Sequence, residues 1–209
     1  MEDKKAATVF GGHALAQLHR LRRVRATQER CELCAASVEE QHKHFVESAS
    51  HRVICVCDMC TILLDGKGAQ RYRRVSSEIR RLSGFRLTDY QWQSLRIPVS
   101  LVFFYTTDDG SAIFSVFPSP GGPVKSEVDE GAWKDLVREN PALNSMRPYI
   151  DALLVNRMKN AADYFLVPID ECYRLAGAIR RHWHGMSGGD EVDEHVAACL
   201  REWRERAVD

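Results

Sequence analysis

Charge of one sign is the first thing this chain lacks: 29 Lys and Arg balance 29 Asp and Glu over 209 residues, so composition demands neither a polyanionic nor a polycationic partner. Long hydrophobic runs are missing as well. The longest apolar stretch, Val99 to Tyr105 with Ser100 inside it, is strand-sized and far short of the roughly 20 residues that cross a bilayer as a helix. Met1-Glu2-Asp3-Lys4-Lys5 leads into Ala6 to Gly12, too short for the apolar core of a secretory signal, and the expectation is a cytoplasmic protein. Proline and glycine are sparse, at 7 and 13 residues, and 44% of the chain is hydrophobic, which excludes low-complexity and disordered classes. Recognisable catalytic patterns are absent too. Ser187-Gly188-Gly189 precedes a helix but has no Walker lysine and no strand before it. No Ser/His/Asp or paired-carboxylate arrangement is legible, so no catalytic residue is assigned.

What is present is unevenly distributed. Residues 1–100 carry 17 Lys and Arg against 11 Asp and Glu, and residues 101–209 reverse that bias. A basic front half suits nucleic acid or an acidic protein, although an uneven solvated surface explains it as well. Four stretches follow. Residues 1–29 read as a tail with a short basic helix, its Leu15, Leu18, Leu21 and Val24 recurring every third position. Residues 30–69 hold five of the seven cysteines, strand-like segments at His44–Glu47 and Arg52–Cys57, and a turn at Asp65-Gly66-Lys67-Gly68. Residues 70–94 are an Arg-rich connector, partly helical, and residues 95–209 form an α+β domain.

Within that last stretch, Ile97–Tyr105 and Ala112–Phe117 are apolar, aromatic and β-branched, and Thr106-Thr107-Asp108-Asp109-Gly110 between them is hairpin chemistry. Pro118 to Pro123 interrupts regular structure. Helical spacing is read at Ala132–Arg138 and again through Tyr149, Leu153, Leu154 and Met158. A strand at Tyr164–Val167 meets Pro168 and Asp170, which start a helix to His182. Gly185–Gly189 stops it, and Asp190 caps a final helix to about Arg204. Cys172 and Cys199 fall on these helices beside apolar neighbours and read as core. The fold class expected is therefore α+β: a small two-knuckle, four-cysteine metal-binding module, zinc-ribbon or treble-clef-like, followed by an α+β domain with a β-hairpin and several helices.

The strongest signal is Cys31-Glu32-Leu33-Cys34 followed, after 22 residues, by Cys57-Asp58-Met59-Cys60. A turn places both sulfurs of a Cys-x-x-Cys on one side, and a hairpin that joins two such knuckles supplies four thiolates in a tetrahedron. Cys31, Cys34, Cys57 and Cys60 are the expected metal ligands, and in a cytosolic chain disulfides are the weaker use of them. Four protein ligands close the coordination sphere, which makes the metal structural rather than catalytic. Zinc is the expected ion and one iron the alternative, because a tetrathiolate binds either. Rubredoxin knuckles usually carry Pro and Gly, and neither occurs within Cys31–Ala35 or Cys57–Thr61.

Cys55 lies two residues before Cys57 and reads as a small buried hydrophobe or a spare thiol near the site. His42 and His44 share a strand face. They read as a polar face beside the knuckle, with a second metal as the other possibility. Arg71-Tyr72-Arg73-Arg74 combines charge with an aromatic and suits phosphate, or else a solvated, partner-facing strip. His182 and His184 are poorly placed as paired ligands.

Several segments together resemble domain-of-unknown-function family 5947: Arg30-Cys31-Glu32-Leu33-Cys34, His42-Lys43-His44, Cys55 through Cys60, the Arg-Tyr-Arg-Arg run, Leu95–Phe104, Pro118-Ser119-Pro120, Leu166-Val167-Pro168-Ile169-Asp170 and Trp183–Gly189. The resemblance covers most of the chain from Arg30. It implies a bacterial protein, encoded beside [NiFe] hydrogenase genes, that serves as an accessory in hydrogenase assembly through contacts with hydrogenase subunits or maturation proteins. The basic strip and exposed aromatics such as Trp92 would form the contact surface. A looser likeness runs to HNH-type nucleases, but no histidine closes the motif in Thr61-Ile62-Leu63-Leu64 and the asparagine between the pairs is missing, so nuclease chemistry is not expected.

Overall fold

The computed structural model describes residues 29–65, 71–185 and 188–208; the basic helix expected near residues 15–24 and Ser187 of the glycine turn lie outside them. Two antiparallel sheets organise the chain. The smaller has three strands, β1 (Lys43–Glu47), β2 (Val53–Val56) and β3 (Tyr72–Arg74), in the order β2-β1-β3. A short helix, α1 (Asp58–Leu63), follows β2 directly.

The larger sheet has six strands in the order β4-β9-β8-β5-β6-β7: β4 (Arg80–Arg81), β5 (Leu101–Thr106), β6 (Ile113–Phe117), β7 (Val124–Glu127), β8 (Asp151–Asn156) and β9 (Asp163–Pro168). Its helices are α2 (Asp89–Ser94), α3 (Glu130–Glu139), α4 (Ile169–His182) and α5 (Asp190–Arg206), with 3-10 turns at Pro141–Ser145 and Met158–Asn160.

Both faces of this sheet are covered, and the alternation along its central strands shows how. Leu101, Phe103 and Tyr105 of β5, Ala152 and Leu154 of β8, and Phe165 and Val167 of β9 share a core with α4 and α5. Val102, Phe104, Leu153, Val155 and Leu166 point the other way, into a core with Trp133 and Leu136 of α3 and Leu143 of the 3-10 turn. The i, i+3, i+4 stripe Cys172, Leu175, Ala176 and Ile179 of α4 and the stripe Val192, Val196, Leu200 and Trp203 of α5 close the first face.

That double burial corrects one reading of the sequence. Leu153 and Leu154 lie on β8, not on a helix, and all six residues of the strand are buried. A central strand apolar on both sides has no period of 2 to betray it, and its continuous run mimics helical spacing. The hairpin expected at Thr106–Gly110 joins β5 to β6, while Gly189, at φ +82°, rather than Asp190, takes the cap position of α5.

The segment 70–94 supplies β3 to the small sheet, β4 to the large one, and α2, whose Thr88 and Gln91 form a reciprocal capping box. Trp92 is not an exposed aromatic. It packs on the second core beneath the Arg157 guanidinium, 5.3 Å from the ring centre. The small sheet docks through Val46, Val75 and Val53 into the core shared with α4 and α5. At its rim His51 stacks on Tyr149 with centroids 3.9 Å apart. Asp108 at the hairpin tip pairs with both Arg73 and His51 at 2.7 and 3.3 Å.

Candidate metal centre

The first knuckle begins where Arg30 and Ser37 form a lone bridge. The Cys31 N–H donates to the Ala36 carbonyl and the Ala35 N–H to the Cys31 carbonyl, both at 2.8 Å. This tight reversal requires a left-handed residue, and Ala35 takes it at φ +60°. The Arg30 guanidinium donates to the Ala35 carbonyl at 3.0 Å and ties the reversal down.

The second knuckle is a strand-to-helix junction: Cys57 follows β2 in extended conformation, takes the cap position of α1, and its carbonyl accepts the Thr61 N–H at 2.9 Å, so Cys60 falls in the first turn. Glu32 holds the two knuckles together. Its N–H donates to the Cys55 carbonyl at 2.9 Å and its carboxylate accepts the Cys55 N–H at 3.1 Å.

The result brings Cys31, Cys34, Cys57 and Cys60 together, one sulfur from each, all within 4.8 Å of one another. Every one of the four residues expected from the spacing is in the cluster. The Cys34 and Cys57 sulfurs are 3.6 Å apart and all seven cysteines are free thiols. Cys31 is buried and Cys34 exposed. Four soft donors converging from two rigid turns fit a tetrahedral metal ion of the zinc or iron class.

The electrostatics of the four thiols are unequal. Burial acts against ionisation of Cys31, but backbone N–H groups of Cys57, Leu33 and Cys34 aim at its sulfur and bring its pKa down to about 6. The Ala36 N–H favours the Cys34 thiolate, yet the neighbouring sulfurs leave that thiol raised. Desolvation, with the surrounding sulfurs, pushes Cys60 up to about 12. The backbone donors that glycine usually allows at such sulfurs are therefore present without glycine, because Ala35 accepts the positive φ.

Beside this cluster lies a second one that spacing left open between a polar face and a metal. His42, His44 and Cys55 each place one ligand atom within 4.8 Å of the others. Cys55 is half-buried rather than core, and desolvation followed by the charges of Glu29 and Glu32 raises its thiol to about 11. His42 stands one residue before β1, and only the hairpin register brings this pair of histidines to Cys55.

The remaining candidates are accounted for locally. Cys172 is buried in α4, and desolvation lifts its thiol well above the usual range; Cys199 rises to about 12 for the same reason. His182 lies on His195 with centroids 3.7 Å apart, and His182 and His184 both approach Glu191 at 3.7 and 3.4 Å. The three arginines of the basic strip are each ion-paired, Arg71 with Glu47, Arg73 with Asp108 and Arg74 with Asp65. Among the described residues no helix is long and apolar enough to cross a membrane.

Fold and site together define a mixed helix-and-sheet protein carrying a four-cysteine cluster able to hold a metal ion. The chain belongs to a family of unknown function, DUF5947, whose model matches residues 30–207. No curated protein and no solved structure matches it.

Proposed function

We propose that Cys31, Cys34, Cys57 and Cys60 hold one zinc ion in a closed tetrathiolate, and that the protein is a non-catalytic accessory acting through contacts with other proteins. The observation that carries the reading is the convergence of four sulfurs within 4.8 Å on two rigid knuckles, a donor set that leaves no ligand position for substrate. The second knuckle opens a helix, which supports the treble-clef-like form of the module over a plain ribbon. When bound, the ion supplies a cross-link between the first knuckle and the β2–α1 junction; the side chains do the rest.

Contact with a partner is supported by an apolar rim around the cluster. Leu33, Met59, Ile62 and Leu63 are 40%, 71%, 68% and 69% exposed, a concentration of large apolar side chains that a solvated surface does not need. The resemblance to hydrogenase-associated proteins makes hydrogenase subunits or their maturation proteins the proposed partners, in a cytoplasmic setting. Nucleic acid is the weaker partner because the basic strip is already ion-paired.

A single iron passing electrons is the second reading. It is favoured by the backbone N–H groups directed at the sulfurs of Cys31 and Cys34, since such bonds tune the potential of an iron–thiolate centre. Elemental analysis of protein purified without added metal, with its visible spectrum and a Cys34→Ser variant, tests both. Colourless protein with zinc that the variant loses supports the structural reading. Red protein that bleaches on reduction supports iron, and protein free of both metals contradicts the two together. Copurification from a host expressing the hydrogenase tests the partner; its subunits failing to appear with the intact protein, while a Met59→Asp variant behaves identically, would sink that assignment.

A further inference from the structure

We propose that His42, His44 and Cys55 form a second metal site, for a divalent cation of the zinc class, with an open coordination position. The site goes beyond the four-cysteine centre and shares no ligand with it.

The hairpin register builds it. His44 stands directly opposite Cys55 across the β1–β2 pair, and His42, one residue before β1 begins, lies against His44. The two imidazole centroids are 4.5 Å apart, and one ligand atom from each of the three residues lies within 4.8 Å of the others. A cross-strand pair plus the residue that leads into β1 thus supply three donors.

The hydrogen bonds set both rings in the form a metal needs. His42 Nδ1 is 2.8 Å from the Glu39 carbonyl oxygen. A carbonyl only accepts, so the ring proton sits on Nδ1 and Nε2 is left with a lone pair. His44 Nδ1 is 2.8 Å from the Asp170 carboxylate, which orients that ring in the same way and leaves its Nε2 free. A carboxylate behind a histidine is the usual outer support of a metal ligand. It is supplied here by the first turn of α4.

A second, independent observation asks for a ligand at this point. The His42 side chain is only 6% exposed, and its Nε2 is buried with no hydrogen-bond partner. An unpaired buried nitrogen costs free energy, and a cation at the centre of the cluster relieves it. Glu29 Oε2 lies 3.7 Å from His42 Nε2, too long for a hydrogen bond. Three protein donors, two nitrogen and one sulfur, therefore leave a fourth place for water, for Glu29 or for an incoming ligand, as open sites do.

The test uses the full chain freed of metal and titrated with Co(II), whose visible bands report sulfur and nitrogen donors. Cys55→Ala is expected to bind one equivalent fewer than the wild type, with the tetrathiolate bands of the remaining site unchanged. Asp170→Asn is expected to keep the full stoichiometry but bind the equivalent that Cys55→Ala loses about 10–100-fold more weakly, a readout that survives if the alanine variant folds poorly. Equal stoichiometry in wild type and Cys55→Ala, or an affinity indifferent to Asp170→Asn, overturns the proposal. The criterion is a difference, so it stands apart from the four-cysteine reading: Cys34→Ser removes a different equivalent, and failure there leaves the His42–His44–Cys55 result intact.

Discussion

Replacing Ala35 by glycine should make the protein more stable, against the usual sign of that change. Ala35 sits at φ +60° at the end of the first knuckle. An L-residue in that conformation carries about 1–2 kcal/mol of strain between its Cβ and the following carbonyl. Glycine removes the strain but adds freedom to the unfolded chain, worth about 0.4–1 kcal/mol in the other direction. The net gain is on the order of 0.5–1 kcal/mol, equivalent to a rise in Tm of roughly 1–4 °C for a chain of this size. The hydrogen bonds of the turn come from backbone groups and from the Arg30 side chain, so the substitution leaves them in place. Denaturant unfolding of the metal-loaded protein measures the difference directly, with Ala35→Val as control. A β-branched residue tolerates positive φ worst and should lose stability. If Ala35→Gly destabilises by about 0.5–1 kcal/mol, as glycine does in ordinary extended or helical backbone, Ala35 is not left-handed and the turn does not aim the Ala36 N–H at the Cys34 sulfur.

Three further outcomes follow from the same structure. Asn140, 4% exposed, accepts the Arg86 N–H at 2.7 Å and donates to the Arg86 and Leu136 carbonyls; Asn140→Leu strands these groups and should cost about 2–4 kcal/mol in equilibrium unfolding, whereas a loss under about 0.5 kcal/mol would show that the clip is dispensable. Trp203 is fully buried against Phe165 and donates to Glu171 at 3.2 Å; Trp203→Ala should cost about 3–5 kcal/mol and Trp203→Phe much less, and equal losses would refute the packing account. Metal binding to the four cysteines should grow stronger with pH. With the Cys60 thiol pushed up to about 12 and that of Cys34 also raised, both are protonated near pH 7 in the metal-free protein and must release their protons. Cys31, at about 6, joins them only in more acid solution. The apparent affinity should therefore climb at least about 100-fold per pH unit between pH 7 and 8, and competition titrations that show no pH dependence would contradict the ligand set.

The parts of this molecule legible in its sequence are those whose chemistry is local. The two Cys-x-x-Cys pairs marked their own cluster, the Thr106–Gly110 turn marked its hairpin, and the apolar stripes of α3, α4 and α5 marked their buried faces. β8 escaped because both its faces are covered, so that Leu153 and Leu154 face opposite cores and leave no alternation to read. The left-handed Ala35 escaped because the turn tolerates a residue that does not advertise it. The grouping of His42 and His44 with Cys55 depends on a register that pairs residues 11 apart, and the link from His44 to Asp170 spans far more of the chain. Neither is a property of spacing. The docking of the small sheet was equally hidden, since Arg73, His51, Asp108 and Tyr149 come from separate segments and meet only in the folded protein.

The central claim is that four cysteine sulfurs bind one metal ion, and X-ray absorption at the metal edge tests it most directly. The Cys55→Ala chain is the right sample, because it removes the neighbouring cluster and leaves only Cys31, Cys34, Cys57 and Cys60. The account predicts one zinc surrounded by four sulfur neighbours at about 2.3 Å, a shell that Cys60→Ser reduces. A first shell of nitrogen and oxygen, or a chain that carries no metal after purification and takes up none, would contradict it.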